Sequence, residues 1–179
     1  MRKLFIALFA IFSITINAQE IKWMTLEKAV EAQKTTPKKI FMDAYTVWCG
    51  PCKMLDKNTF SNKDVANYIN KNFYAVKFNA EGNEKVNFLG KSYTNPGFDP
   101  KSSGRNSSHE LSGYFGIRAY PTIVYLDEEA KLIAPIPGYQ SPKQLELYLK
   151  LFASNDYKTI QSQEAFTEYS TKFKSEFVE

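Results

Sequence analysis

The chain has 179 residues, with 23 Lys and Arg against 19 Asp and Glu, one His and two Cys, for a formal net charge of +4. That length suits one domain with a full hydrophobic core and is thin for two. Nearly balanced charge with no dense Lys/Arg block argues against nucleic acid as a partner, and a single close pair of cysteines excludes a framework of long-range structural disulfides within the chain.

In chain order, Met1-Arg2-Lys3 and the apolar stretch Leu4 to Ile16, broken only by Ser13 and Thr15, read as a secretion signal cleaved after Ala18. The stretch falls short of the about 20 apolar residues of a membrane span. Ile16 is bulkier than a signal peptidase usually prefers at that place, so an uncleaved N-terminal anchor stays open as the other reading. The expectation is an exported protein, periplasmic or secreted, and membrane-tethered if the signal stays. Residues 19–179 then form one domain, with two more bases than acids.

Thr25 as N-cap and Leu26, Ala29, Val30 and Gln33 at helical spacing predict an amphipathic helix, stopped by Thr36-Pro37-Lys38. Ile40 to Tyr45 is apolar on both faces except for Asp43, the pattern of a buried central strand. After Trp48 a helix is expected through Met54 and Leu55 to about Lys57, then another over Asp64 to Asn70 with Val65, Tyr68 and Ile69 inward. Phe73 to Phe78 reads as an interior strand with Lys77 as its one charge. Val86, Leu89 and Tyr93 suggest a helix over Glu84 to Tyr93.

The stretch Thr94 to His109, rich in Pro, Gly, Ser and Asn, holds almost nothing to bury and reads as a long surface loop with His109 solvated. It is either a spacer or a partner-contacting element, for which Tyr93, Phe98 and Arg105 are suited. Tyr120 to Leu126 is a further buried strand, and Lys131 to Ile136 a last one, placed at a sheet edge because Pro135 and Pro137 cannot donate ladder hydrogen bonds. Ser141, Pro142 and Gln144 form a helix start with a capping box, continued by Leu145, Leu149 and Phe152. In the C-terminal extension 153–179, Phe166, Tyr169, Phe173 and Phe177 recur at steps of three, four and four and suggest one more amphipathic helix. Strands alternating with helices imply an α/β fold, with helices on both faces of a central sheet.

The chemistry is concentrated in Trp48-Cys49-Gly50-Pro51-Cys52. Disulfide exchange needs one thiolate to attack and a second thiol to resolve the mixed disulfide. Cys49 at a helix N-terminus gains thiolate stabilisation from unpaired backbone N–H groups and the macrodipole, and is expected to be the exposed, acidic thiol. Three residues later, Cys52 falls on the same helical face within bridging distance. Pro51 is tolerated in the first turn, and Lys53 adds positive charge nearby.

These residues carry a resemblance to the thioredoxin superfamily, extending from roughly Trp23 to Phe152. The resemblance implies a thioredoxin fold with a mixed β-sheet and a protein thiol–disulfide oxidoreductase. Cys49 and Cys52 match the redox pair, and Asp43 the buried carboxylate that assists proton transfer at the resolving cysteine. Lys77 matches the lysine beside that carboxylate, although it is equally readable as a solvent-reaching side chain. Pro121, after Tyr120, resembles the cis-proline that faces the cysteines and binds substrate backbone, and Gly138 the family's later glycine. Trp48, Gly50, Pro51, Tyr120 and Pro121 are therefore the expected substrate-binding residues. Thioredoxin's Gly-Pro dipeptide, with a potential near about −270 mV, favours a reductant over an oxidant near about −120 mV. No cofactor is expected. The implied partners are disulfide-containing client proteins and a membrane-bound electron donor, since nothing in the chain binds flavin or nicotinamide.

Other readings of the pair are weaker. Zinc needs two more ligands, and His109 is the sole histidine. Copper handling through Cys49, Cys52, His109 and a methionine, or a non-catalytic binding module using the loop and tail, stands as the alternative from a different class. No metal site is expected.

Overall fold

The computed structural model describes residues 20–178; the secretion-signal reading of residues 1–18 lies outside them. The elements are β1 (Trp23–Met24), α1 (Leu26–Gln33), β2 (Lys39–Tyr45), α2 (Gly50–Leu55), α3 (Lys63–Asn72), β3 (Phe73–Asn79), β4 (Val86–Phe88), β5 (Lys91–Tyr93), α4 (Glu110–Tyr114), β6 (Thr122–Leu126), β7 (Leu132–Pro137), α5 (Pro142–Ser154) and α6 (Gln163–Lys172). A π-helical turn, Asp56–Phe60, prolongs α2.

Five strands make one sheet in the order β1-β3-β2-β6-β7. β2 runs parallel to β3 and antiparallel to β6, so the sheet is mixed. Paired on both sides, β2 must be apolar on both faces, which is why its run has no polar alternation. Its residues divide by the pleat. Ile40, Met42 and Ala44 join the core under α1 and α4, whereas Phe41 joins Leu55, Val65, Ile69, Tyr125, Leu145 and Leu149 under α2, α3 and α5. Asp43 falls on the second face by the same alternation and is 1% exposed. The Pro-bearing strand β7 sits at the edge, as the sequence predicts.

Two elements differ from expectation. Residues 86–93 form a hairpin, not a helix: Val86 pairs with Tyr93, and Leu89 and Gly90 turn the chain with φ of 48° and 79°. Leu89 looked like a helical core position, but it is an exposed turn residue, and Val86 and Phe88 are buried at strand spacing. The tail aromatics also fail to share one helix. α6 ends at Lys172, and Phe177 lies beyond it, packed edge-on to Tyr68. The cause is Glu146 of α5, a fully buried carboxylate that accepts the backbone N–H groups of Glu176 and Phe177 and pairs with Lys150, so the extended tail outcompetes another helical turn.

Candidate functional site

β2 ends at Tyr45, and a tight turn, in which Cys49 N–H donates to the Thr46 carbonyl, carries the chain into α2. Cys49 is the N-cap of α2, its Sγ accepting the Cys52 N–H at 3.1 Å, with Pro51 in the first turn, where its missing N–H costs nothing. Cys49 and Cys52 are joined in a disulfide with Cα atoms 5.3 Å apart. The sequence expectation of one exposed and one buried sulfur does not describe this oxidised state: Cys49 is 2% and Cys52 3% exposed. Gly50 and Pro51 between them are exposed and form the lip of the site.

Ala44 pairs with Thr122, so Pro121 lies beside the end of β2 from which the cysteine turn departs. The Tyr120–Pro121 bond is cis. Gly138 donates its N–H to the Pro121 carbonyl at 2.8 Å and has φ of 95°, a backbone that L side chains rarely adopt. Tyr120 in turn meets Trp48 edge to face at 6.0 Å.

Behind the disulfide, on the α2 face of the sheet, lies a charge cluster around the buried Asp43. Asp43 is the Cα partner of Lys77 across β2 and β3, and Lys77 Nζ donates to Asp43 Oδ2 at 2.6 Å. The same ammonium also binds Asp56, four residues after Cys52 and thus on one helical face with it. Three rings surround the ammonium, Trp23 at 5.0 Å, Tyr45 at 4.9 Å and Phe60 at 5.3 Å to their centroids. Of the two readings of Lys77, the paired one holds. Asp43 Oδ1 is buried without a hydrogen-bond partner. Burial pushes the Asp43 carboxyl up to about 6, against the pull of Lys77 and with the help of the Asp56 charge. Burial pulls Lys77 down, yet its two carboxylate partners outweigh that and hold it above the usual lysine value.

In front, the loop 94–109 folds back over Trp48. Glu81 accepts the Trp48 indole N–H at 2.7 Å and the Asn106 backbone N–H at 2.8 Å with one oxygen, and Arg105 stacks over the Trp48 ring at 4.4 Å. The loop is far from empty of buried groups, contrary to its sequence reading. Asn95 is buried and donates to the carbonyls of Gly82 and Ser107, and Asp99 and Asn106 clasp each other. Tyr93 is buried against Tyr114 and is not a partner contact.

His109 is 1% exposed rather than solvated. Its Nδ1 caps α4 by accepting the Leu111 N–H, and its Nε2 faces the Glu84 carbonyl at 2.8 Å as donor. Both ring nitrogens are engaged, which removes the histidine the copper reading relied on.

Sequence reasoning missed Asp56 and Glu81. Asp56 carried a usable signal, its spacing of four from Cys52, whereas Glu81 lies 33 positions from the Trp48 it binds and had none.

Comparison with known proteins agrees with this geometry. Residues 26–153 match the thioredoxin-like domain family. The thiol-disulfide oxidoreductase ResA of Bacillus thuringiensis is 24% identical over 123 residues, 69% of this chain and 68% of that protein. The thiol:disulfide interchange protein DsbD of Pectobacterium atrosepticum is 23% identical over 120 residues, 66% of this chain but only 17% of that longer one. Among solved structures, a thioredoxin-fold protein from Helicobacter pylori superposes with a TM-score of 0.58 at 18% identity, covering 85% of this chain and 86% of its own. A thioredoxin from Thermus thermophilus does so at 0.57 and 11% identity, covering 80% and 98%.

Proposed function

We propose, from the premise that this chain belongs to the thioredoxin-like family, that it is a protein-disulfide reductase working through Cys49 and Cys52. The carrying observation is the disulfide at the N-terminus of α2, with Cys49 Sγ already accepting a backbone N–H of the helix. In the dithiol form, the Cys49 thiolate attacks one sulfur of a client disulfide. A Cys49–client disulfide forms, and the other client sulfur leaves as a thiolate that takes up a proton. Cys52 then gives its proton to Asp43 and attacks Cys49 sulfur, closing the Cys49–Cys52 disulfide and releasing the second client thiolate. Two electrons pass from protein to client.

Asp43 suits the proton step because burial makes it more basic than an ordinary carboxylate, and its Oδ1 holds no other hydrogen bond. A hollow of about 450 Å³, lined by Trp23, Tyr45, Lys77, Phe78 and Asn79 among others, borders the Lys77 end of the cluster. Trp48, Gly50, Pro51, Tyr120 and Pro121 form the client-binding rim. The reducing direction rests on the Gly50-Pro51 dipeptide, and the electrons that restore the dithiol come from a membrane-bound donor, the N-terminal segment directing export. No helix among the described residues is long and apolar enough to cross a membrane.

Equilibrating the protein with glutathione buffers tests direction. A potential near about −270 mV is expected, and one near about −120 mV would make the protein an oxidant. Reduction of a protein disulfide that persists after Cys49→Ser would overturn the function itself.

A further inference from the structure

Arg105 is the one loop residue that stacks on the tryptophan beside the cysteine pair, and its setting is unlike that of the other cation at this site. Lys77 is consumed by two carboxylates and three rings. The Arg105 guanidinium lies over the Trp48 ring at 4.4 Å, exposed, and no carboxylate among the described residues pairs with it. With its centre over the ring and its N–H groups without a partner among the described residues, the guanidinium can grip a carboxylate by two parallel hydrogen bonds.

The position is also fixed in advance. Asn106, the next residue, is held by Glu81, which holds Trp48 at the same time. Asn106 further clasps Asp99. Little ordering entropy is then left to lose when a client arrives. Glu81 is the acid closest to this surface in the contacts formed, and its carboxylate oxygen is already shared by two donors. Lys53 of α2, next to Cys52, adds an exposed cation to the same rim. The loop does not seal the surface: a hollow of about 150 Å³ remains between Val47, Phe98 and Gly104, with Val47 61% exposed, so a peptide has room beside the stack.

We propose that Arg105 is a specificity-determining residue that selects clients bearing an Asp or Glu close to the disulfide to be exchanged, so that the loop 94–109 reads acidic client segments. The inference rests on the redox reading of Cys49 and Cys52 and deepens it by naming the client class. A partly exposed Arg–carboxylate pair acts most strongly at low salt and fades as ionic strength rises.

The test uses two peptides with the same intrachain disulfide, one flanked by Glu and one by Lys, and a small uncharged disulfide as reference. Reduction is followed with the full chain and with Arg105→Glu at low and high salt. The wild type is expected to prefer the Glu peptide by about fivefold in kcat/KM at low salt, a preference shrinking toward one at high salt. R105E is expected to invert the preference while keeping the wild-type rate on the uncharged disulfide. Equal rates on both peptides with the wild type, or an R105E protein that still favours the Glu peptide, would overturn the client assignment and leave the redox function standing. Failure of the wild type on all three disulfides would instead overturn the redox reading, and the client class with it.

Discussion

The two sides of the cysteine pair use the same components to opposite ends. Behind it, the Asp43 carboxylate, the Lys77 ammonium and the Asp56 carboxylate form a chain closed on three aromatic rings, with Asp43 1% exposed. In front, the Glu81 carboxylate, the Trp48 indole and the Arg105 guanidinium form a comparable chain on one ring, at the surface. Behind, burial makes the Asp43 charge expensive, so its proton affinity rises, and Lys77 is shared between Asp43 and the more exposed Asp56. In front, water screens the charges, and the cation remains available to a visitor. In the proposed function the buried side governs how electrons and protons move, and the exposed side what docks.

The sharpest break of that division is at the sulfurs, which both sides share. Cys52→Ser should abolish turnover and leave clients covalently trapped on Cys49, visible as mixed-disulfide bands that vanish on adding dithiothreitol. Free turnover by this variant would show that Cys52 does not resolve the intermediate.

Asp43→Asn addresses the buried side alone. Loss of the proton acceptor should slow resolution by on the order of 10²-fold near neutral pH, while the first attack by Cys49 proceeds at the wild-type rate in stopped-flow measurements. The same variant has a thermodynamic signature. The folded-state value of about 6 lies above the ordinary aspartate value of 3.8, so the native state holds its proton more tightly than the unfolded chain. Stability from this group is full below the lower value and is lost as pH rises through the upper one, by on the order of 3 kcal/mol. Urea unfolding of the oxidised proteins should therefore show Asn gaining on the wild type between about pH 4 and pH 6 and holding that gain above it. Parallel stability curves at all pH values would mean that Asp43 carries no such penalty.

Asp56→Asn is a smaller intervention on the same side. It gives Lys77 wholly to Asp43 and removes a negative charge that raises the Asp43 carboxyl, so both effects point downward. The inflection of the resolution rate with pH should fall below the wild-type one, with the plateau rate little changed. An inflection that stays in place would make Asp56 a surface residue with no bearing on the proton step.

How much of this was legible in the sequence follows the same division. Asp43 and Lys77 stood out because a charge inside a buried strand is rare, and the resemblance supplied their roles. The Pro-bearing edge strand likewise follows from a local pattern. The hairpin 86–93 was misread because Val86, Leu89 and Tyr93 satisfy a helical period by accident, and only the positive φ of Leu89 and Gly90 discloses the turn. Contacts between segments far apart in the chain left no periodic trace. Glu81 on Trp48, Glu146 on the tail and His109 on the Glu84 carbonyl are long-range hydrogen bonds, which no window of neighbouring residues encodes.

The smallest expected effect concerns the exposed side and is a prediction of near-constancy. Exchanging residues 97–105 for a short Gly-Ser link removes Arg105 and the Asp99 clasp while keeping Asn95, His109 and the Cys49 N-cap. In the proposed mechanism the thiolate is stabilised by the helix terminus and the proton step is served by Asp43 and Lys77, and neither touches the removed residues. The equilibrium potential against glutathione should accordingly move by less than about 10 mV, about a twofold change in the exchange constant. Trp48 loses the ring-stacked guanidinium but keeps Glu81, so the rim stays in place while its charge is gone. A shift of about 30 mV or more, a tenfold change in that constant, would show that the loop reaches the electron chemistry and that the two sides are not separable.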